Sequence, residues 1–220
     1  MRSRCVVRGV LRRLRTYGLG LGVALVIAMG MVACTRAPEP TAWESHFDSA
    51  DGWQLSSDPV ADVSVVEGRL VVHVMAPGQV AWAASQGAWQ DGRIAVDATQ
   101  VSGPVDNEYG ILLRMEDDHT FAAFSVSGDG YVRAARYTDG EWSILGPDWM
   151  PSEAINQGAA TNHLEVVAQG PQVTFWVNDQ QVLQTEDVEV RSGPVGLYAG
   201  AFSEGDVVVA FDDFRITPVP

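Results

Sequence analysis

The sequence predicts an all-β domain, a two-sheet antiparallel sandwich, and three observations predict it. From Trp43 onward, short runs of alternating apolar and polar residues follow one another at short, even spacing. Gly, Asp, Asn and Pro separate the runs, and no amphipathic helical period lasts beyond two turns, the one short exception lying around 152–156. Many short strands punctuated by turn residues are the pattern of a β sandwich, whereas helices would show apolar residues every three to four positions. Strands are expected near 43–47, 52–56, 61–66, 69–75, 79–85, 92–102, 108–116, 120–127, 131–138, 141–145, 162–169, 172–178, 181–186, 194–202 and 206–217.

The joints between these strands have a mechanism. Glu67-Gly68 links Val63–Val66 to Leu70–Val72, and Gly128-Asp129-Gly130 links two further strands, each at a point that needs a positive φ. Asn178-Asp179 closes Val173–Val177 against 181–183 with residues that tolerate the left-handed region. Side chains alternate across a strand, so Val173, Phe175 and Val177 share one face and Trp176 takes the other. By the same parity Ile111, Leu113 and Met115 oppose Gly110, Leu112 and Arg114.

Ahead of the strands lies an address. The first sixteen residues hold Arg2, Arg4, Arg8, Arg12, Arg13 and Arg15 and no acid, and an apolar stretch runs from Tyr17 to Ala33. A charged segment, an apolar segment and small residues before a cleavage point make a secretory signal. The alternative is an uncleaved membrane anchor, since about 17 apolar residues is near the lower limit for a span. Met31-Val32-Ala33-Cys34 resembles the lipobox of bacterial lipoproteins, although Met31 stands where leucine is usual. The resemblance implies that residues 1–33 are removed, that Cys34 carries a lipid, and that the protein is anchored outside the cytoplasm at a membrane surface. Residues 34–42, with Pro38 and Pro40, then form a short semi-rigid tether.

Removing 33 of the 220 residues leaves 187, enough for one domain with a real core. Cys5 leaves with the signal, so no disulfide can form within the mature chain. The 14 basic residues are all arginine; six leave with the signal while all 28 acids stay, which gives the mature domain a net charge of −20. Such a field repels nucleic acid and anionic headgroups, and it favours cations and neutral ligands.

An ordered set of short motifs carries a second resemblance. It runs through Phe47-Asp48, Gly52-Trp53, Glu67-Gly68-Arg69-Leu70, Tyr109-Gly110-Ile111-Leu112-Leu113-Arg114, Phe121-Ala122-Ala123-Phe124, Asp129-Gly130-Tyr131, Asn162-His163-Leu164, Phe175-Trp176-Val177-Asn178, Gly193-Pro194-Val195-Gly196-Leu197 and Phe211-Asp212-Asp213-Phe214. Together they resemble a concanavalin A-like jelly roll, and more narrowly the laminin G-like and 3-keto-disaccharide hydrolase-like domains of bacterial exported proteins. The resemblance covers 43–218 and implies one convex and one concave sheet, with any ligand lying across the concave one. Family members often carry tyrosine where Ala122 stands, and the Glu-x-Asp-x-x-Glu strand of family-16 glycoside hydrolases is absent. A structural calcium is also implied, held by Asp212 and by backbone near Gly68; hard oxygen ligands and the acidic charge suit it.

The residues that carry chemistry are few. Asp106-Asn107-Glu108, Glu116-Asp117-Asp118 and Glu186-Asp187 flank turns and read as solvated loop acids. Glu108 is the exception: it shares the parity of Arg114 and is the one catalytic candidate, as one of the two carboxylates that glycoside hydrolysis usually needs. No histidine has a partner at zinc-ligand spacing, Gly-x-Ser-x-Gly and phosphate-binding glycine loops are absent, and no organic cofactor is signalled. Aromatics are more numerous than a core requires, and indole or phenol rings stack on sugar faces. Arg114, Phe124, Trp176 and Tyr198 are the expected groove residues. The sequence therefore points to a surface-anchored domain that binds a neutral glycan without catalysis. The alternatives are a hydrolase of the 3-keto-disaccharide type and an envelope protein-interaction module.

Overall fold

A computed structural model describes residues 42–219. The signal, Cys34 and most of the tether lie outside the described residues. Sixteen strands are present and no helix occurs among the described residues. They are β1 (Trp43–Ser45), β2 (Trp53–Leu55), β3 (Ala61–Val66), β4 (Arg69–Val74), β5 (Val80–Ser85), β6 (Gly92–Ser102), β7 (Asn107–Asp117), β8 (Thr120–Val126), β9 (Tyr131–Thr138), β10 (Glu141–Ile144), β11 (Met150–Pro151), β12 (Thr161–Gln169), β13 (Gln172–Val177), β14 (Gln180–Glu186), β15 (Gly196–Ala201) and β16 (Val207–Thr217). The sequence pattern marks all of them except β11, whose two residues are too short to show a period. The expected helical turn at 152–156 is a turn whose Ala154 and Ile155 tuck into the core.

Two antiparallel sheets result. Sheet I has the order β14-β13-β12-β6-β16-β4-β3, with β1 also on β16; sheet II has the order β10-β9-β8-β7-β15-β5-β2, with β11 on β9. The chain makes local hairpins and meanders within a sheet, such as β7 to β10 and β12 to β14. Elsewhere it crosses between sheets, at β1–β2, β2–β3, β4–β5, β5–β6, β6–β7, β11–β12, β14–β15 and β15–β16. Turn chemistry fits the sharp joints: Glu67 and Gly68 have φ of 52° and 73°, and Asn178 and Asp179 have 49° and 63°.

The core forms where the inner faces meet. Sheet I supplies Leu70, Val72, Ile94, Val96, Leu164, Val166, Phe175, Val209 and Phe211, and sheet II supplies Tyr109, Ile111, Phe124, Val132 and Leu197, with alanines between. Each large apolar side chain buried this way contributes about 1.5–3 kcal/mol. Val173, Phe175 and Val177 are all buried while Trp176 is partly exposed, as parity requires.

Among the described residues the register slips at four points, and two of them bear on expected site residues. In β7 the pairing with β8 slips between Leu113 and Asp117, and Arg114 there adopts φ 55°. One residue in the left-handed region reverses the faces that follow it. Arg114 therefore turns inward, and Met115 joins the outer face of sheet II. Gly193 packs on this bulge so closely that a Cβ would sit 2.0 Å from the Met115 carbonyl oxygen, so no larger residue fits. In β16 the pairing with β6 slips between Asp212 and Arg215, around Asp213 with φ 49°.

Candidate functional site

The outer face of sheet II carries a polar cluster. The register aligns Tyr198 on β15 with Gly110 on β7, Gly110 with Ser125 on β8, and Ser125 with Arg133 on β9. Gly110 has no side chain to stand in the row, and a Cβ there would meet the Phe124 carbonyl oxygen at 2.1 Å. The Tyr198 ring crosses this gap, and its hydroxyl hydrogen-bonds Ser125 Oγ two strands away. The same hydroxyl donates to Glu108 Oε2 at 3.1 Å, and Arg133 Nη2 donates to that oxygen at 2.8 Å.

Both acids of this cluster are deeply placed, with Glu108 4% and Tyr198 1% exposed. Burial raises the Glu108 pKa, and the Arg133 charge and the Tyr198 hydrogen bond pull it back. Burial, with the neighbouring Glu108 carboxylate, pushes Tyr198 well above its ordinary value, so it stays a neutral donor. Arg133 is held from both sides: its guanidinium lies 4.7 Å from the Trp149 ring centroid and 5.3 Å from that of Trp142. Such stacking fixes a cation without a second carboxylate.

Arg133 thus joins two groups of rings. Trp142 packs on Tyr137 and Phe121, and Phe121 on Trp82, with centroids 5.0–5.9 Å apart. These rings frame the buried residues Leu112 and Ala123 on the same outer face. Trp149 meets Phe202 edge to face at 5.9 Å. Trp149, Phe202 and Tyr131 then wall a cavity of about 200 Å³ together with Asp106, Ser127 and Asp129. These residues come from separate segments: the β6–β7 loop, the end of β8 and its turn, the start of β9, the approach to β11, and the exit of β15. Ser127 Oγ donates to Asp129 and accepts the Tyr131 N–H at 3.0 Å, which ties the turn to the ring beside it. A neighbouring cavity of about 390 Å³ shares Asp129 and Tyr131. Tyr131 is 38% exposed between the two.

The four groove residues expected from the sequence do not come together. Tyr198 lies under the outer face of sheet II as described. Phe124 is 0% exposed in the core between the sheets, edge to face with Phe175 at 6.2 Å, and Phe121 takes the outward place on its strand. Ala122 also faces the core, so its small size removes no ring from the outer face.

Arg114 is 1% exposed at one end of the sandwich. Its Nη1 donates to Asp187 Oδ2 at 2.9 Å, and its other nitrogens donate to the carbonyls of Gln90 and Gly170. Arg136 clamps the same Asp187 carboxylate through Nε and Nη2. Asp187, expected as a solvated loop acid, is 1% exposed, because it neutralises two buried guanidiniums that tie β7 and β9 to the end of β14. Trp176 faces outward as expected, but on sheet I, the opposite side of the molecule from Tyr198. Parity separates the two faces of a strand and carries no information about which sheet the strand joins.

The expected calcium position is a convergence of three segments. Asp212 sits at the β16 bulge, where its Oδ1 accepts the Asp213 N–H at 2.8 Å. His46 Nδ1 contacts Asp213 Oδ1 at 2.9 Å, and the His46 carbonyl oxygen lies 4.0 Å from where a Gly68 Cβ would stand. The resemblance would draw on the Asp212 carboxylate and on backbone carbonyls near Gly68, hard oxygens of the kind calcium takes. Among the described residues no group of three or more His, Cys, Asp or Glu side chains is placed to hold a metal.

Sequence reasoning missed Phe202, Asp106 and Asp129 as neighbours, since they are far apart in the chain; their one signal was position, each in a loop beside a strand end.

Comparisons with known proteins agree with this architecture. The model of the 3-keto-alpha-glucoside-1,2-lyase-like domain matches residues 42–217. No curated protein sequence matches the chain. Among solved structures, the carbohydrate binding module CBM66 from Bacillus subtilis is similar with a TM-score of 0.60 and 16% identity, over 74% of this chain and 93% of that one. A native glycosidic hydrolase gives a TM-score of 0.61 at 11% identity, covering 82% and 97%. A prokaryotic β-1,3-1,4-glucanase (lichenase) derived from a mouse hindgut metagenome gives 0.59 at 13%, covering 81% and 100%. At these identities the likeness is one of fold, a concanavalin A-like jelly roll. The chain belongs to the family of 3-keto-alpha-glucoside-1,2-lyase-like domains and is a carbohydrate-related jelly roll.

Proposed function

We propose that the domain binds a sugar on the outer face of sheet II and carries no catalysis of its own, held at a membrane surface by lipid on Cys34. The observation that carries this reading is the cavity in which Tyr131, Trp149 and Phe202 present rings beside the hydroxyl of Ser127 and the carboxylates of Asp106 and Asp129. Rings supply a stacking surface for the C–H face of a sugar, and the carboxylates accept its hydroxyl protons. Apolar walls with a few convergent polar groups are the general form of a ligand site. The family and the carbohydrate-binding neighbour support the ligand class. Glu108, the buried acid nearest these rings, has one oxygen occupied by Arg133 and Tyr198, which makes it a support for the Arg133 platform.

A second reading is elimination, and the family description favours it. In a 3-keto glucoside the ketone acidifies the C2–H. A base takes that proton, the C1=C2 bond forms, and the C1–O bond breaks as its electrons leave with the departing alcohol. Glu108, whose pKa burial raises, would be the base, and the Tyr198 hydroxyl would be the donor to the leaving oxygen.

Calorimetric titration of the full chain with a panel of glucosides and 3-keto glucosides separates the two. Trp149→Ala should weaken binding about tenfold, equivalent to ~1.4 kcal/mol. Glucose release from a keto-disaccharide by wild type, abolished by Glu108→Gln, would replace binding with catalysis.

A further inference from the structure

A second concavity lies on the outer face of sheet I. Arg93 on β6, His163 and Glu165 on β12, Trp176 on β13 and Asp179 in the β13–β14 turn line it, around about 230 Å³. The register builds it. Glu165 pairs with Trp176 on one side and with Ala95 on the other, so the indole and the carboxylate stand side by side next to a small residue. Two residues along β12, His163 pairs with Asp97. The left-handed turn at Asn178 and Asp179 brings the Asp179 carboxylate to the rim.

The polar groups here are sorted by charge. Arg93 is ion-paired with Glu165, and His163 Nδ1 contacts Asp97 Oδ1 at 2.6 Å. Both basic groups are therefore matched within the cluster, while Asp179 has no hydrogen bond or ion pair to any described residue. No unmatched cation remains to hold an anion. The site asks for a ligand that donates hydrogen bonds. Trp176 completes it: unlike Trp43, Trp53, Trp82, Trp142 and Trp149, each packed on another ring, its indole makes no ring contact or side-chain hydrogen bond with any described residue. A partly exposed indole with acceptors at its edge matches the face of a sugar, C–H groups on the ring and hydroxyls at the rim. The volume is below the roughly 300–1,000 Å³ of pockets that bury a larger ligand, which suits a single ring.

We infer that Trp176, Glu165 and Asp179 form a second sugar-binding site, for one neutral monosaccharide unit, independent of the site on sheet II. The two sites open on opposite faces of the sandwich. One short glycan cannot fill both.

The full chain in detergent, labelled with 5-fluorotryptophan, gives one fluorine signal for each of its seven tryptophans, assigned by single Trp→Phe variants. It is titrated with methyl α-glucoside, methyl β-glucoside and choline. The Trp176 signal is expected to move saturably with a glucoside, and to move equally in Trp149→Ala. Asp179→Ala should weaken that response about tenfold, the loss of one hydrogen bond to a charged group. Trp176→Ala should melt with wild type, which shows that the ring is not a core element.

A Trp176 signal that stays still with both glucosides overturns the second site, whatever Trp149 does. Movement with choline alone also overturns it, making the pocket a cation site. Movement of Trp176 with Trp149 silent upholds the second site and removes the reading of sheet II, so the two stand or fall separately.

Discussion

Asp187→Ala is the substitution for which the structure predicts a large loss of stability. The carboxylate is buried between Arg114 and Arg136, themselves buried, and accepts from Nη1 of the first and from Nε and Nη2 of the second. Removing it leaves two guanidiniums facing each other with backbone carbonyls for company and Asp91, 3.7 Å from Arg114, as the remaining acid. Breaking a buried charge pair on one side costs about 3–5 kcal/mol, because the surviving charge stays desolvated. In a domain of this size 1 kcal/mol shifts the melting temperature by about 2–4 °C, so the expected fall is about 6–20 °C. The control is its neighbour Glu186→Ala, an exposed side chain whose hydrogen bond is to Gln172, expected within about 0.5 kcal/mol of wild type. Asp187→Asn should fall between, keeping an acceptor and losing the charge. Thermal unfolding of the full chain followed by near-ultraviolet circular dichroism reads all three. If Asp187→Ala melts with Glu186→Ala, the cluster contributes no net stability and the account of Arg114 as an inter-sheet tie fails.

Three further outcomes are expected. Burial raises the folded pKa of Glu108, so its contribution is full below the unfolded pKa and is lost as pH rises through the folded one. The stability of Glu108→Gln relative to wild type should therefore improve from about pH 4 upward, and parallel pH curves would contradict the buried carboxylate. If Asp212 and the carbonyls near Gly68 bind calcium, EDTA should lower the melting temperature of wild type and leave Asp212→Ala unmoved, by linkage of metal to the native state alone; a wild-type melt blind to EDTA, with no calcium in elemental analysis, excludes the site. Cys34→Ser should abolish acylation, and palmitate labelling that persists in this variant would refute the lipobox.

Strand identity, hairpin turns and the family were legible in the sequence, because each is written in local terms. Alternation marks a half-buried strand, Asn178-Asp179 and Glu67-Gly68 tolerate the φ their turns need, and the order of short motifs carries the resemblance. Parity correctly turned Trp176 away from Phe175 and Val177. It failed at Arg114, where one left-handed residue reverses the face and nothing in Leu113-Arg114-Met115 announces the slip. It was silent on which sheet Trp176 joins.

Which side chains share a site was decided by tertiary structure alone. Glu108, Ser125, Arg133 and Tyr198 meet because β7, β8, β9 and β15 are neighbours in one register, and Arg114, Arg136 and Asp187 meet because two sheets close at one end. A local pattern reports whether a residue faces oil or water. Partners 90 residues apart in the chain, as Glu108 and Tyr198 are, are chosen by strand order and bulges, which depend on every other strand at once.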